Sequence, residues 1–256
     1  MLKTYQNKWV VSTKRVSIEG EERLEGMLRE GAGKGAAVIC HPHPLYGGSM
    51  WNNVVDALES GFFQAGFTTL KFNFRGVGGS TGRYDGGAGE MRDAAAACLF
   101  LKEHTGRSEG LVLAGYSFGA WVCARAGIYW APASGYPAPP RRAKPRPASR
   151  VLRPTRSARF ARFTNRDIGR DIGLCLVAYP FSVYRSDELR AFRGKICFIG
   201  GSLDEISPLD ALLALYRELS ADKSLKVVPS AHTFDGEEPE IAAFIREVFG
   251  EPSEAS

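Results

Sequence analysis

The chain has 256 residues, of which 44% are hydrophobic and 24% are charged, and its net charge is +5. This length suits a single domain over residues 1–256. The apolar content is higher than that of disordered proteins and excludes this class. Residues 1–8 are mostly polar, and no apolar run reaches the roughly 18 residues that a membrane-spanning helix needs. We therefore expect neither a signal peptide nor a transmembrane segment.

The net charge is unevenly distributed along the chain. Residues 131–170 contain eleven basic residues and one acidic residue, so this stretch carries +10. Because the whole chain carries +5, the remaining residues carry −5. The basic character is therefore a property of one segment and not of the whole protein surface.

Cysteine usage indicates a reducing compartment. The five cysteines mostly lie inside apolar runs and show no spacing typical of a metal site: Cys40, Cys98, Cys123, Cys175 and Cys197. We interpret them as reduced core thiols of a cytoplasmic protein, in which no disulfides are expected.

The N-terminal region alternates apolar and polar residues, as at Trp9, Val11, Val16 and Ile18. This period of two predicts two antiparallel strands before about Glu30.

Short apolar runs then alternate with segments of helical periodicity. After a glycine-rich hairpin or linker, the expected strands span residues 36–40, 68–74, 111–116, 175–179, 196–200 and 225–228. The expected helices cover 51–62, 90–102 and 120–126, begin at 207–210, and close the chain at 239–249. We expect Ser49 and Ser207 to be N-caps and Gly66 to lie near the end of the first helix. The alternation predicts an α/β fold with a doubly wound, mostly parallel sheet and helices on both faces.

Residues 131–173 interrupt this alternation. They are rich in Pro, Gly, Ala and Arg and lack a periodic apolar face, so we expect an excursion without a core of its own. At most, residues 153–162 form a short basic helix. The basic part, 141–170, could contact nucleic acid or an anionic surface through phosphate groups, although a solvated loop is the simpler interpretation.

Residues 115–119 form a G-x-S-x-G motif directly after an expected strand and before a small-residue helical pattern. In this strand–turn–helix setting the motif is typical of a nucleophile elbow, whose glycines allow the sharp turn. Ser117 is the expected nucleophile. The N–H of Phe118, at the start of the helix, is an expected oxyanion donor.

An acid and a histidine follow Ser117 in the chain, each just beyond an expected strand: Asp204 and His232. A serine hydroxyl becomes a strong nucleophile only when a base takes its proton, and a carboxylate fixes the tautomer of that base. We therefore expect His232 to be the base and Asp204 to orient it, with Glu205 and Asp210 as alternative acids.

The loop after the first expected parallel strand reads His-Pro-His-Pro-Leu-Tyr-Gly-Gly over residues 41–48. In a fold of this kind such a loop supplies a second oxyanion donor. Prolines lack an N–H, so we favour the amide of His43, with Leu45 and Tyr46 as alternates. The side chains of His41 and His43 are expected to shape the turn or to bond the backbone.

Two other features have plainer interpretations. Residues 73–80 are as glycine-rich as a phosphate loop but lack its Gly-Lys-Ser/Thr ending. We expect a structural turn there, anchored by an ion pair of Arg75. His104 lies at the end of an expected helix, so a surface or C-cap position is expected.

Three motifs together resemble the cap-less bacterial serine hydrolases of the α/β-hydrolase superfamily, relatives of dienelactone hydrolase. They are the His-Pro-His-Pro loop within 41–50, the turn within 72–80 and the elbow within 115–120. The resemblance covers roughly residues 20–130 and 174–249. It implies one α/β-hydrolase domain, to which the basic excursion is an addition without a counterpart.

By this resemblance we expect cleavage of carboxylic esters or thioesters through an acyl-enzyme. The resemblance implies a Ser-Asp-His triad, a small-molecule acyl substrate and no metal or organic cofactor. Dienelactone hydrolase resembles this plan with a cysteine nucleophile, so Ser117 favours general acyl-ester chemistry over lactones. A serine peptidase, an acyltransferase and a non-catalytic binding protein on the same fold are the alternatives. Tyr46, Trp51, Tyr179 and Tyr184 are candidate walls of the substrate pocket.

Overall fold

The computed structural model describes residues 13–107, 109–130 and 172–250. Trp9 and Val11 of the expected first strand lie outside these ranges, as does most of the expected excursion, 131–171. The expected behaviour of the excursion, including its contact with anionic partners, therefore stays a prediction.

The described residues form one eight-stranded sheet. Its strands are β1 (Thr13–Glu19), β2 (Arg23–Arg29), β3 (Gly35–Cys40), β4 (Phe67–Phe72), β5 (Leu111–Tyr116), β6 (Ile172–Val177), β7 (Ile196–Gly201) and β8 (Lys223–Val228). Their order across the sheet is β1-β2-β4-β3-β5-β6-β7-β8. The β1–β2 and β2–β4 pairs are antiparallel, and every other pair is parallel. The expected mostly parallel α/β sheet is confirmed.

Helices cover both faces of this sheet. They are α1 (Asn53–Gln64), α2 (Ala88–Thr105), α3 (Phe118–Trp130), α4 (Leu209–Glu218) and α5 (Glu238–Phe249), with short 3₁₀ helices at Pro44–Tyr46 and Asp187–Ala191. One apolar cluster includes residues of α1 and α5, and a second includes residues of α2, α3 and α4. All residues of β3 to β7 are buried, as expected for parallel strands covered on both sides. Within the described ranges, none of the helices combines the length and apolar character that a bilayer crossing requires.

The first helix begins later than expected, which changes its cap. Helix α1 starts at Asn53, and the side-chain oxygen of Asn52 accepts the N–H of Val54 at 3.0 Å. The hydroxyl of Ser49 accepts from Trp51 instead, at 3.3 Å. The expected Ser49 cap is therefore wrong, because the capping oxygen must lie next to the first free amides of the helix.

The expected Ser207 cap is also wrong. Helix α4 starts at Leu209 with Pro208 at the cap position, and no side chain caps it. The N–H of Ser207 donates to Asp204 at 2.8 Å, and its buried hydroxyl has no hydrogen-bond partner among the described residues. A carboxylate of the preceding loop, and not Ser207, therefore organises this turn.

The bounds of two strands, β4 and β6, differ most from expectation. Strand β4 stops at Phe72, two residues early, because residues 73–80 form the turn. Strand β6 begins at Ile172, so the last two residues of the interval 131–173 belong to the sheet. The strand ends before Ala178, whose φ of 48° is incompatible with extended structure.

The interpretation of residues 73–80 as an anchored structural turn is confirmed. The guanidinium of Arg75 donates to the carboxylate of Asp93 in α2, with a shortest distance of 2.8 Å, and reaches Glu21 at 3.1 Å. Arg75 and Asp93 are both buried. The pair fixes the chain that leaves β4 against α2, close to the loop that follows β3.

The five cysteines are buried and unpaired in the structure, as expected of core thiols. Burial raises the pKa of Cys98 well above its ordinary value, so this thiol stays protonated.

Candidate active site

Ser117 lies at the junction of β5 and α3 with a φ of 54°. A positive φ is uncommon for a residue with a side chain and is typical of strained functional positions. The N–H of Ser117 donates to Val177 at 2.9 Å, and its carbonyl accepts from Trp121 at 3.1 Å. These backbone bonds hold the strained residue between β6 and the first turn of α3.

Two glycines allow the sharp turn around Ser117. A Cβ at Gly119 would lie 2.3 Å from the carbonyl oxygen of Cys40, at the end of β3. A Cβ at Gly115 would lie 2.4 Å from the backbone of Gly119. No side chain fits at either position, so the motif's glycines let α3 begin directly against the neighbouring strand.

His232 connects Ser117 to a buried carboxylate. Its Nε2 lies 2.9 Å from the hydroxyl oxygen of Ser117, and its Nδ1 lies 2.8 Å from Oδ2 of Asp204. Because a carboxylate only accepts, Nδ1 carries the proton and Nε2 presents its lone pair to the hydroxyl. The three expected residues therefore lie in one hydrogen-bonded row.

Backbone amides fix Asp204 in the orientation that this row requires. Its Oδ1 accepts the N–H groups of Ile206 and Ser207 at 2.9 and 2.8 Å, while Oδ2 faces His232. The side chain of Asp204 is fully buried. The alternative acids, Glu205 and Asp210, are exposed, and neither bonds His232.

Sequence reasoning missed Tyr116, the residue before the serine. Its hydroxyl donates to the carbonyl of His232 at 2.5 Å, and the two rings lie 5.5 Å apart. Burial, with smaller contributions from Asp204 and Asp235, raises the pKa of Tyr116, so the hydroxyl stays a donor. The only sequence signal was an aromatic residue at the last position of the elbow strand.

Of the three candidate donors in the loop after β3, two have an acceptor within the loop. Leu45 donates its N–H to Nδ1 of His43 at 3.2 Å, and Tyr46 donates its N–H to the carbonyl of His43 at 3.1 Å. Both alternate donors are therefore engaged. For the N–H groups of His43 and Phe118, no acceptor is found among the described residues.

His41 has a structural position in the same loop. The side chain is fully buried, its Nε2 accepts the N–H of Phe74 at 3.0 Å, and its Nδ1 donates to Pro42 at 2.6 Å. Burial lowers the pKa of His41 to about 4. This neutral ring ties the end of β3 to the chain that leaves β4. His104 lies elsewhere, at the end of α2, and contacts Glu30 at 2.7 Å.

The candidate pocket walls separate into different environments. Tyr46 is 88% exposed, and Tyr184 is half-buried and stacked on Trp121 at 4.2 Å. Trp51 is exposed and lies over Lys71, with the ammonium 4.9 Å from a ring centroid. Tyr179 differs from the expectation. It is only 2% exposed, because its ring lies in the core and its hydroxyl bonds the carbonyl of residue 185.

Exposed apolar side chains gather at the edge of the sheet that carries Ser117. This apolar rim follows or ends β3, β6, β7 and β8 and consists of Leu45, Tyr46, Trp51, Val183, Leu203, Ile206 and Val227. The carboxyl ends of parallel strands share one edge, so the rim and the serine lie on the same side of the protein. Among the described residues, loops and 3₁₀ helices form this edge, without an inserted domain.

The described residues contain no group of three or more His, Cys, Asp and Glu side chains that could hold a metal ion. They do contain the Ser117 hydroxyl hydrogen-bonded to the His232 ring, and two backbone amides without a nearby acceptor. Such an arrangement can form and break an acyl bond.

Known proteins resemble this chain in sequence and fold. A family model described as "Alpha/beta hydrolase family" matches residues 37–246. An uncharacterised protein of Rickettsia prowazekii is 42% identical over 104 residues, which are 40% of this chain and 44% of that protein. The match therefore spans less than half the length of this curated relative.

Solved structures match over nearly the whole chain. A serine hydrolase homologue from Coxiella burnetii has a TM-score of 0.69 and 26% identity, covering 93% of this chain and 98% of its own. A putative alpha/beta hydrolase from Agrobacterium tumefaciens has a TM-score of 0.70 and 27% identity, covering 91% and 94%. A serine hydrolase without a lid from Xanthomonas campestris, at 22% identity and a TM-score of 0.68, shares the fold over 93% and 94%.

Proposed function

The chain belongs to the alpha/beta hydrolase family, and we propose that it hydrolyses carboxylic esters through an acyl-enzyme on Ser117. One observation carries the proposal. The hydroxyl of Ser117, both ring nitrogens of His232 and the buried carboxylate of Asp204 form an unbroken row, with distances of 2.9 and 2.8 Å. Such a row turns a weak hydroxyl nucleophile into a reactive one.

In the first half-reaction, the Ser117 oxygen attacks the ester carbonyl while Nε2 of His232 takes the hydroxyl proton. The carbonyl oxygen becomes negatively charged as the new C–O bond forms. The intermediate then collapses, the bond to the alcohol breaks, and Nε2 returns its proton to the leaving oxygen. Asp204 stabilises the doubly protonated ring throughout without taking a proton itself.

In the second half-reaction, water replaces the alcohol. Nε2 of His232 takes a proton from water as the water oxygen attacks the acyl carbon. The bond to Ser117 then breaks, and the serine oxygen recovers the proton from Nε2. The products are the carboxylic acid and the free enzyme.

The amides of Phe118 and His43 are the proposed oxyanion donors. Phe118 is the first residue of α3, so its N–H points out of the positive end of the helix dipole. The amides of Leu45 and Tyr46 are engaged within the loop, which favours His43 as the second donor. Losing one such donor typically lowers turnover by about 10²–10³-fold.

The apolar rim favours esters with an apolar acyl or alkoxy group. Large apolar side chains exposed together commonly mark a binding surface. A substrate chain lying along Val183 and Leu203 would bury area at about 25 cal/mol per Å². We expect hexanoyl esters to react better than acetyl esters, and the double variant Val183→Ser/Leu203→Ser to lose about fivefold in kcat/KM for hexanoate only. Equal losses on both esters would contradict this use of the rim.

A fluorophosphonate tests the nucleophile. Wild-type protein should form a phosphonylated serine with loss of fluoride and should hydrolyse p-nitrophenyl butyrate. Ser117→Ala should abolish labelling and lower kcat by about 10⁴-fold or more. The matched control is Ser220→Ala, which removes an exposed serine. If Ser117→Ala labels as fast as wild type, the proposed mechanism is wrong; labelling without ester cleavage would favour a peptidase or acyltransferase.

A further inference from the structure

The His43 side chain is held in one protonation state by its two neighbours. Its Nδ1 receives the N–H of Leu45 at 3.2 Å, and its Nε2 lies 3.1 Å from the hydroxyl of Tyr84. A backbone amide can only donate, so Nδ1 must be bare. The proton therefore lies on Nε2 and is donated to the oxygen of Tyr84.

Aromatic packing fixes the plane of the His43 ring. Its centroid lies 4.8 Å from Phe118, 4.8 Å from Tyr46 and 5.0 Å from Tyr84. Phe118 is also the residue that carries the first proposed oxyanion donor. The ring of His43 thus connects the two backbone segments whose amides must point at the same oxygen.

The backbone of His43 is fixed from its other side as well. Its carbonyl accepts the N–H groups of Tyr46 and Gly48, both at 3.1 Å. Gly48 packs so closely that a Cβ there would lie 2.1 Å from the carbonyl oxygen of Pro42. With its carbonyl and both ring nitrogens engaged, His43 has one polar group left, its N–H.

We propose that the side chain of His43 is a positioning residue, which in its neutral, Nε2-protonated form holds the His43 amide in place as the second oxyanion donor. The proposal deepens the proposed function and rests on it. Tyr84 contributes to this positioning. Its hydroxyl oxygen accepts a hydrogen bond from Nε2–H, which keeps Nδ1 free to accept the N–H of Leu45.

The surroundings favour the neutral ring. Burial lowers the pKa of His43, and the carboxylate of Glu90 opposes this only in part. The other titratable groups nearby are the hydroxyls of Tyr46, Tyr84 and Tyr184; burial and the adjacent Tyr184 hydroxyl raise the pKa of Tyr84 to about 12. A proton on Nδ1 would face the N–H of Leu45, so protonation would break the hydrogen bond between Leu45 and the His43 ring.

Three substitutions at His43 distinguish the contributions of its two ring nitrogens. His43→Ala removes both and should lower kcat by about 10²-fold, with KM nearly unchanged, because the lost interaction exists only in the transition state. His43→Asn keeps an acceptor for Leu45 in the geometry of an Asx turn and should recover at least about tenfold over alanine. His43→Gln reaches Tyr84 but cannot cap Leu45, so it should behave like alanine.

Tyr84→Phe and a distant control complete the series. Tyr84→Phe removes the acceptor of the Nε2–H hydrogen bond and should lower kcat less than His43→Ala does. The acid limb of its pH profile should be shifted from that of wild type. His104→Asn changes an exposed histidine on α2 and should leave kcat unchanged. Thermal unfolding of each variant shows whether the fold is retained.

The rate of fluorophosphonate labelling distinguishes the two proposals. Fast labelling of wild type, slow labelling of His43→Ala and recovery in His43→Asn is the expected result. If wild type and His43→Ala label equally fast, or if asparagine and alanine are equally impaired, positioning by His43 is wrong while the serine mechanism stands. If wild-type Ser117 is not labelled, the proposed function fails and the role of His43 fails with it.

Discussion

The two sides of Ser117 are held by different forces. On one side, His232 is oriented by a fully buried carboxylate that accepts three hydrogen bonds. On the other side, the amides of His43 and Phe118 are set by neutral rings and close backbone packing. The proposed acid–base side therefore depends on one charge, whereas the proposed oxyanion side depends on shape. A substitution that keeps shape but removes charge should affect only the first.

The largest expected effect tests the charged side. Asp204→Asn keeps the volume but offers an amide N–H to Nδ1, which forces the proton onto Nε2 and removes the base. We expect kcat to fall by about 10⁴-fold, measured with p-nitrophenyl butyrate. Asp210→Asn is the matched control at an exposed acid and should keep full activity. Equal activity of the two variants would show that Asp204 does not orient the histidine.

The second prediction tests shape on the oxyanion side. Gly119→Ala puts a methyl group 2.3 Å from the carbonyl oxygen of Cys40, so α3 must move away from β3. We expect the free energy of unfolding to fall by about 3 kcal/mol in urea titrations. Gly236→Ala, on the histidine side, has a φ of 85° but open space and should cost only about 1 kcal/mol. Similar losses at both glycines would contradict the packing difference.

The third prediction uses the pH dependence of stability to test the role of His41, which supports the loop after β3. Its pKa in the folded protein is about 4, below the ordinary value of 6.5, so the unfolded chain binds more protons between these values. Stability from this group is present above pH 6.5 and is lost as pH falls towards 4, by about 2 kcal/mol between pH 7 and pH 5.

Urea unfolding across this pH range checks the role of His41. His41→Gln keeps an acceptor for Phe74 and should flatten the dependence, although His43, whose pKa burial also lowers, leaves a remainder. A wild-type curve that is flat from pH 7 to pH 5 would contradict the burial of a neutral His41.

The smallest expected effect concerns Tyr116, which connects the end of β5 to the loop that carries His232. Tyr116→Phe removes the hydrogen bond to the carbonyl of His232 and should cost about 1 kcal/mol of stability and a few-fold in kcat. Tyr216→Phe removes a comparable bond to Lys223, far from the site, and should cost stability without changing kcat. If both variants keep full kcat, Tyr116 supports the fold but not the base.

The two sides also differed in how far the sequence could predict them. Asp204 and His232 follow Ser117 in order, each just beyond an expected strand, so the sequence named both. Only the contact with His232 separates Asp204 from the alternative acids Glu205 and Asp210. The choice among the amides of His43, Leu45 and Tyr46 as the second donor depends on the folded loop, because every residue except proline carries the same N–H group.

Caps and aromatic contacts were predicted least well. Ser49 and Ser207 are good capping residues, yet Asn52 and Asp204 lie nearer to the free amides and take those bonds. Tyr84 belongs to an irregular loop without periodicity, so nothing in the sequence linked it to His43. The sheet, in contrast, followed directly from short apolar runs separated by helices.

The direction of α3 has a practical consequence. The helix starts at Phe118, directly after the serine, and runs back along the sheet, so that a Cβ at Gly127 would lie 2.8 Å from the side chain of Leu174, near the start of β6. Both described ends that flank residues 131–171 therefore lie at the edge farthest from the serine. Attaching the protein to a solid support at this far edge would leave the edge that carries Ser117 facing the bulk solution.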